Sequence, residues 1–300
     1  MSRKPIFTPV TLLIMLGVMW GSGFALARFA VTHGVSPVGY AFWQTAGPAV
    51  LLFLFLVTKK AKLSLLWQHK GYFLLLGLIA IAIPNTNMYF ISPHVSAGML
   101  SVVINTSPIF ILLLALFFRE EKWSLQRLIA IMVLTAGLLL LTLPKSLVLH
   151  QSGGFSIWIL LALVSPLFFA VSAVLISKLS RPIPVDVQAC GMMFSATFWL
   201  VPLLIASKGF YFPTGHWLAR DNAIIAEIIL SSLGYLVFFE LLLAAGAVYY
   251  SFVSGVVAMM GVIWGMVFFQ ERFTFVQLLS MVLIVSATTL VAYSQVNKSR

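Results

Sequence analysis

The sequence predicts an all-α polytopic membrane protein with ten transmembrane helices in two inverted five-helix repeats. Three observations predict it. Of 300 residues, 61% are hydrophobic and only 8% charged, for a mean hydropathy of +1.08; a soluble domain carries about a quarter charged residues. Long apolar runs recur along the whole chain rather than at one end, as repeated bilayer crossings require. Finally, LFFREEKWSLQRLIAIMVLTAG at 116–137 registers with VFFQERFTFVQLLSMVLIVSAT at 267–288, an offset of 151 residues.

A helix needs about 20 residues to cross the hydrocarbon core. Breaks at charges, Pro/Gly clusters and polar groups delimit spans at 9–31, 37–57, 71–91, 95–118, 124–143, 154–177, 185–207, 223–243, 247–269 and 274–294. The first is too long for a signal-peptide core and reads as a retained span. With the N-terminus in the cytoplasm, 13 Lys/Arg fall in inside segments and 4 outside (Lys145, Lys208, Arg220, Arg272), with Arg28 left within span one. That bias predicts an even span count, both termini cytoplasmic, in the cell inner membrane. The joint between spans eight and nine, placed near AAGA, carries no basic residue.

The repeat sets the domain organisation. In its register Phe117 and Phe118 meet Phe268 and Phe269, Glu120 meets Glu271, and Gln126 meets Gln277. Two repeats follow, at 1–147 and 148–300. Five spans per repeat is an odd number, so the halves face opposite ways in the bilayer. Inverted repeats are a recurrent solution for alternating access, with substrate held between them.

Several classes are excluded. The net charge of +11 lies in short breaks between apolar runs, where it orients helices rather than forming a nucleic-acid surface. The single Cys190 allows neither an intrachain disulfide nor a cysteine metal cluster. No GxxxxGK[ST], HExxH or supportable Ser–His–Asp set is present, and the five histidines form no ligand pair at helical spacing. The reading is therefore no enzyme, no cofactor and no metal.

MWGSGFALARF at 19–29 and the FFREE and FFQER segments resemble the EamA family of the drug/metabolite transporter (DMT) superfamily. Trp20, Gly21, Ser22 and Phe24 match that family's early tryptophan–glycine pattern, and Ser107 and Pro108 its frequent proline in span four. The resemblance covers nearly the whole chain. It implies carriage of amino acids, amines, sugars, nucleosides or other metabolites, commonly as export. It also implies a central cavity formed mostly by helices one, three, four, six, eight and nine. Two departures stand out: Gln44 where the family often shows arginine, and a carboxylate at Glu240.

Glu240 is the sole charge in the 43 residues between Glu227 and Glu271. A carboxylate among Phe and Leu must find water, a cation or a proton. Two roles are open to it: a cavity carboxylate for a cationic substrate or coupled proton, and a side chain reaching the interface. Tyr89 registers with Glu240 at the 151 offset. Asn85 and Asn87 flank Thr86 in PNTNMYF of span three, where Pro84 frees a carbonyl on the previous turn. Ser101 and Asn105 lie one turn apart on span four, suited to cavity lining or to helix packing. Trp20, Tyr40 and Trp43 offer aromatic faces that, together with Glu240, suit an organic ammonium, and Trp264 lies deeper in span nine. Arg28 snorkels to headgroups, contacts substrate or forms a closed-state ion pair. Glu120 and Glu271 read as anchors of the fourth-to-fifth helix turn in each repeat. Gly77, Gly137, Gly234, Gly255, Gly261 and Gly265 permit close backbone approach, and the GxxxG of Gly261 and Gly265 suits packing within a monomer or a homodimer.

The function these residues indicate is secondary transport of small polar metabolites such as amino acids or organic amines. The mechanism is alternating access with protons as a candidate coupling ion, in the direction of export. The alternatives are a scaffold or lipid-translocating protein, and a facilitative uptake carrier for a cationic metabolite.

Overall fold

Residues 8–118, 125–142, 157–179, 183–212, 217–250 and 253–296 are described in a computed structural model. Among them the regular structure is helical throughout. α1 (Pro9–Thr32) and α2 (Pro37–Thr58) each open on a proline, with Thr8 and Ser36 accepting a main-chain N–H as N-caps. Proline suits that position because the first-turn N–H has no helical partner. A short helix, Ser64–Gln68, leads into α3 (Lys70–Ile91). Inside α3 the turn Leu78–Ala82 widens to π geometry just ahead of Pro84, which lacks an N–H and crowds the preceding turn.

α4 is two segments, Ala97–Ile104 and Ser107–Phe117, interrupted at Asn105 and Thr106 ahead of Pro108. α5 is Leu125–Thr142. α6 is likewise divided, Ile157–Ala162 and Val164–Lys178, ahead of Pro166. α7 is Val185–Ser207, α8 Ala219–Tyr250, α9 Val253–Phe269 and α10 Phe275–Val296. Among the described residues seven helices are long and apolar enough to cross a membrane, and shorter apolar helices at Leu128–Gly137, Val253–Phe269 and Phe275–Ala287 lie in α5, α9 and α10. Phe117, Phe198, Ile205, Val267, Phe268 and Val282 are exposed, an outer surface made for lipid rather than water.

One boundary moves. AAGA, where the sequence reading ended span eight, lies inside α8, which continues to Tyr250 before α9 starts at Val253. Nothing in AAGA interrupts a helix: alanine is the strongest helix former. In hydrocarbon an unpaired backbone group costs more than a mid-helix glycine does.

The pairing of helices shows the two-fold relation between halves. α1 packs on α8 and α9, and its counterpart α6 packs on α3 and α4. α2 packs on α8 as α7 packs on α3, while α2–α7, α4–α9 and α5–α10 pair across the axis. Lys60 and Lys208, at matching places beyond α2 and α7, both take left-handed backbone geometry. With five helices in each half among the described residues, α6 starts at the end of the bundle opposite to α1, so the repeats are inverted.

Glycine sets the closest of these approaches. A Cβ at Gly261 of α9 would overlap the Ser101 side chain of α4, and one at Gly265 would overlap the Glu271 carboxylate. The GxxxG therefore serves packing within the monomer. Gly77, Gly137 and Gly234 also abut neighbours, but Gly255 has open space around its Cβ position and makes no such approach. Gly261→Ala should lower the melting temperature of the purified protein. Ser101→Gly in that background should recover part of the loss, since the two sites share one space. Additive losses in thermal unfolding would refute the packing assignment.

Candidate functional site: a buried polar junction on α8

The eighth helix carries Glu227, Ser231 and Tyr235 at four-residue spacing, which places them on one face. Glu227 is 7% exposed. Its Oε1 accepts from the Ser231 hydroxyl at 2.8 Å, and Ser231 in turn accepts from Gln44 Nε2 of α2 at 3.2 Å. Gln44 Oε1 accepts from Asn85 Nδ2 of α3 at 3.1 Å. The result is a directed chain, Asn85 to Gln44 to Ser231 to Glu227, joining three helices. α1 closes the fourth side with Gly23, where a Cβ would sit 3.2 Å from Glu227 Oε2.

Glu227 Oε2 and the Tyr40 hydroxyl, both sealed from solvent, make no hydrogen bond of full geometry among the described residues, and the two groups face each other. Tyr40 and Tyr89 are 1% and 2% exposed, their rings 4.8 Å apart and edge to face. Tyr89 is also within electrostatic range of Glu227 and Tyr235. Glu227 is eight residues into α8, about 12 Å along the axis from its start.

A second carboxylate is treated differently. Glu271, beyond the end of α9, forms an ion pair with Arg28 of α1. It also accepts the main-chain N–H of Ala97 at 2.7 Å and of Gly98 at 3.2 Å. Those are the first N–H groups of α4, where the helix dipole favours an anion. Arg28 lies 4.8 Å over the Phe269 ring. In this conformation Arg28 reaches across to a carboxylate, because Glu271 and the start of α4 stand within reach. Glu271 thus anchors three helices, beyond the single turn the sequence indicated; Glu120 lies outside the described residues.

The same face carries further ties. Trp43 Nε1 donates to the Tyr211 carbonyl at 2.7 Å, Arg220 donates to the His33 carbonyl at 2.7 Å, and Ser36 donates to the Gly209 carbonyl. Tyr211 donates to Asp221 at 2.6 Å and accepts from Arg220 Nε at 2.7 Å. Burial and then the Asp221 hydrogen bond raise the Tyr211 phenol above its ordinary range, against the guanidinium. Together these hold the α1–α2 hairpin to the α7–α8 connection.

Both halves of the chain match the EamA-like transporter family, at residues 8–143 and 156–293. The chain belongs to that family. It is 26% identical over 178 residues to YdfC of Bacillus subtilis strain 168, named an uncharacterized transporter, covering 59% of this chain and 57% of that protein. It is 29% identical over 151 residues to YoaV of the same organism, also named an uncharacterized transporter, covering 47% of this chain and 50% of that one. The matched part spans about half the length of these curated relatives. A solved crystal structure superposes on 94% of this chain and 95% of its own at a TM-score of 0.64 and 15% identity, which shows the fold.

Within this EamA chain the remaining candidates separate. Asn87 turns away from the junction and donates to Leu161 O at 3.0 Å and Ser165 Oγ at 2.9 Å, taking a carbonyl at the interruption of α6. Ser165 donates to the Pro84 carbonyl at 2.8 Å. Ser101 donates to Gly98 O at 2.8 Å and Ala258 O at 3.1 Å, and Asn105 Nδ2 donates to Ser101 O at 2.7 Å. In this conformation Ser101 and Asn105 serve packing and the α4 interruption. Trp20 packs on Gly234 and against the rings of Tyr235 and Phe238, beside the junction. Trp264 donates to Ser22 at 2.8 Å, linking α9 to α1. Trp43 lies out at the Tyr211 connection, among Phe42, Phe210 and Phe212.

Glu240 is half-buried and thirteen residues beyond Glu227, about 20 Å along the helix and over half a turn around it. Its helix face is that of Ile229, Leu233 and Leu236, which line an apolar groove of about 210 Å³ between α2 and α8. Glu240 and Tyr89 therefore stand in separate surroundings. Glu227, which the sequence reading used only as a boundary charge, is the carboxylate at the junction; its signal was the Glu–Ser–Tyr stripe at four-residue spacing.

Arg28→Ala should destabilise the protein by about 1–3 kcal/mol, the range for a charged hydrogen bond lost in a partly buried site. Glu271→Gln, which keeps an acceptor for the α4 N–H groups, should cost less. Chemical unfolding in mixed micelles measures both, and equal losses would contradict the division of roles.

Proposed function

We propose that this chain is a secondary transporter of small polar metabolites, amino acids or organic amines among them. It works by alternating access between repeats at 1–147 and 148–300, in the cell inner membrane with both termini cytoplasmic and in the export direction. The observation that carries this reading is the Glu227 junction. It is a polar cluster inside the bundle, drawn from both repeats, in which a buried carboxylate has no cation beside it among the described residues and faces the Tyr40 phenol across an incomplete hydrogen bond. A cluster kept only for packing would be expected to complete its hydrogen bonds, and intramembrane ionisable groups mark transport pathways.

The latch of Arg28 and Glu271, with the Tyr211 ties, closes the face away from the chain termini in this conformation. Rocking of α1 and α2 against α8 would break those ties and open the junction to that face. The lipid-translocation alternative draws less support, because the α2–α8 groove of about 210 Å³ is below the range of about 300–1,000 Å³ usual for small-molecule sites.

Solute counterflow in proteoliposomes, screened with amino acids and amines, tests the reading. A transported solute is expected, with Glu227→Gln lowering its rate at least about tenfold, equivalent to 1.4 kcal/mol. Glu240→Gln should retain most of the rate. No counterflow of any solute in the screen would end the transporter reading, and full activity in Glu227→Gln would move the site elsewhere.

A further inference from the structure

We propose that the α2–α8 groove and the charges at its inner end form a seat for one phospholipid with a primary ammonium headgroup, a phosphatidylethanolamine. The seat is independent of the transporter reading, and it lies on the side of α8 turned away from Glu227. Leu51 of α2 and Ile229 and Leu233 of α8 are exposed and form its rims, while Leu52 and Ser232 are buried and form its floor. Ser232 is polar, but its hydroxyl is spent on the Ile228 carbonyl at 2.6 Å. The described lining thus offers a solute nothing to hydrogen-bond, and its volume of about 210 Å³ suits a hydrocarbon tail. From Ile229 to Leu236 the groove runs about 10 Å along the helix, within the depth of about 15 Å that one leaflet contributes to the hydrocarbon core. The rims face out of the bundle, where the bilayer is the solvent. An acyl chain is what meets them there.

The class of headgroup follows from the charges. Both α2 and α8 run toward the face on which α1 starts. Lys59 and Glu240 each lie four residues beyond the last groove residue of their helix, Phe55 and Leu236, about 6 Å further along. Ile229, Leu233, Leu236 and Glu240 fall within about 60° of one another around α8, so the carboxylate stands over the groove's inner mouth. Lys59 lies 4.3 Å over the Phe55 ring and pairs with Asp186 of α7 at 3.2 Å, which fixes the end of α2. Lys60 and Lys62 follow it, both exposed, and neither they nor Glu240 make an ion pair among the described residues. One apolar channel therefore ends between a carboxylate and lysine ammonium groups. A purely anionic headgroup would suit the lysines but be repelled by Glu240. A phosphate carrying a primary ammonium completes both, with lysine N–H groups donating to the phosphate and the ammonium donating to the carboxylate. A choline headgroup has no N–H to donate. Lysine stems at a membrane boundary are long enough to bring their charge to the phosphate level.

Native mass spectrometry of the full-length protein, released from mild detergent with one added lipid, tests the seat. The probes are dioleoyl phosphatidylethanolamine, its phosphatidylcholine and phosphatidylglycerol counterparts, and the tail-less glycerophosphoethanolamine. The first phosphatidylethanolamine adduct should form with an affinity about fivefold above that of phosphatidylcholine, the most that one boundary ion pair gives. Glu240→Gln should bring the two to parity, whereas Lys60→Gln combined with Lys62→Gln should weaken both alike. Leu233→Trp, which fills the groove from its exposed rim, should lower the first adduct of every lipid. Glycerophosphoethanolamine should give no adduct at the same concentration. Should Leu233→Trp fail to fold, the headgroup preference and its loss in Glu240→Gln still decide. Equal affinity for the ethanolamine and choline lipids, a preference that survives Glu240→Gln, or tighter binding of phosphatidylglycerol would each overturn the headgroup assignment. Unchanged adducts in Leu233→Trp, or a tail-less probe that binds as well as the lipid, would remove the groove from the seat.

Discussion

A carboxylate in the hydrocarbon layer has to be met from within the protein, and the centre of this molecule is organised around that constraint. Water is absent, so each polar group recruits another. Glu227 takes the hydroxyl of Ser231 one turn along, Ser231 takes the amide of Gln44, and Gln44 takes that of Asn85. Each link crosses to a different helix after the first, and so the chain of hydrogen bonds also specifies how α8, α2 and α3 meet. α1 fits against the same point only because residue 23 has no side chain.

The comparison of the two carboxylates Glu227 and Glu271 separates structure from function. Glu271 is completed: a guanidinium on one side and two N–H groups at the start of α4 on the other. Such a group holds helices together and asks for nothing further. Glu227 is less completed: one oxygen holds the Ser231 hydroxyl, and the other, sealed, faces the Tyr40 phenol with no cation beside it among the described residues. The same chemical group is a fastener in one place and an open valence in the other. The difference lies in whether a cation and a helix N-terminus happen to be within reach.

The fold was legible to a large extent. Apolar runs of about 20 residues, the shared FF-x-E and Gln signature, and the distribution of basic residues are local properties that a bilayer reads directly. The helix pairings observed then follow the inverted relation of the two halves. The errors have local causes too. AAGA looks like a joint because small residues soften hydropathy, yet they continue a helix readily. Arg28 and Glu271 are 243 positions apart, and no spacing rule links them.

Glu240 and Glu227 mark the limit most clearly. In the sequence Glu240 is the conspicuous charge, standing alone among Phe and Leu, while Glu227 falls near the edge of a span. The sequence by itself determined the bilayer as solvent, the repeated five-helix plan and a stock of polar residues that could not all be idle. Only the tertiary structure decided which of them converge. Rotation about the helix axis puts Glu240 on the side of the α2–α8 groove and Glu227 on the side of Tyr40, Tyr89 and Gly23. Hydropathy along a chain records how deep a residue sits. The neighbours of its side chain depend on azimuth and on helices hundreds of residues away, and those exist only once the bundle has packed.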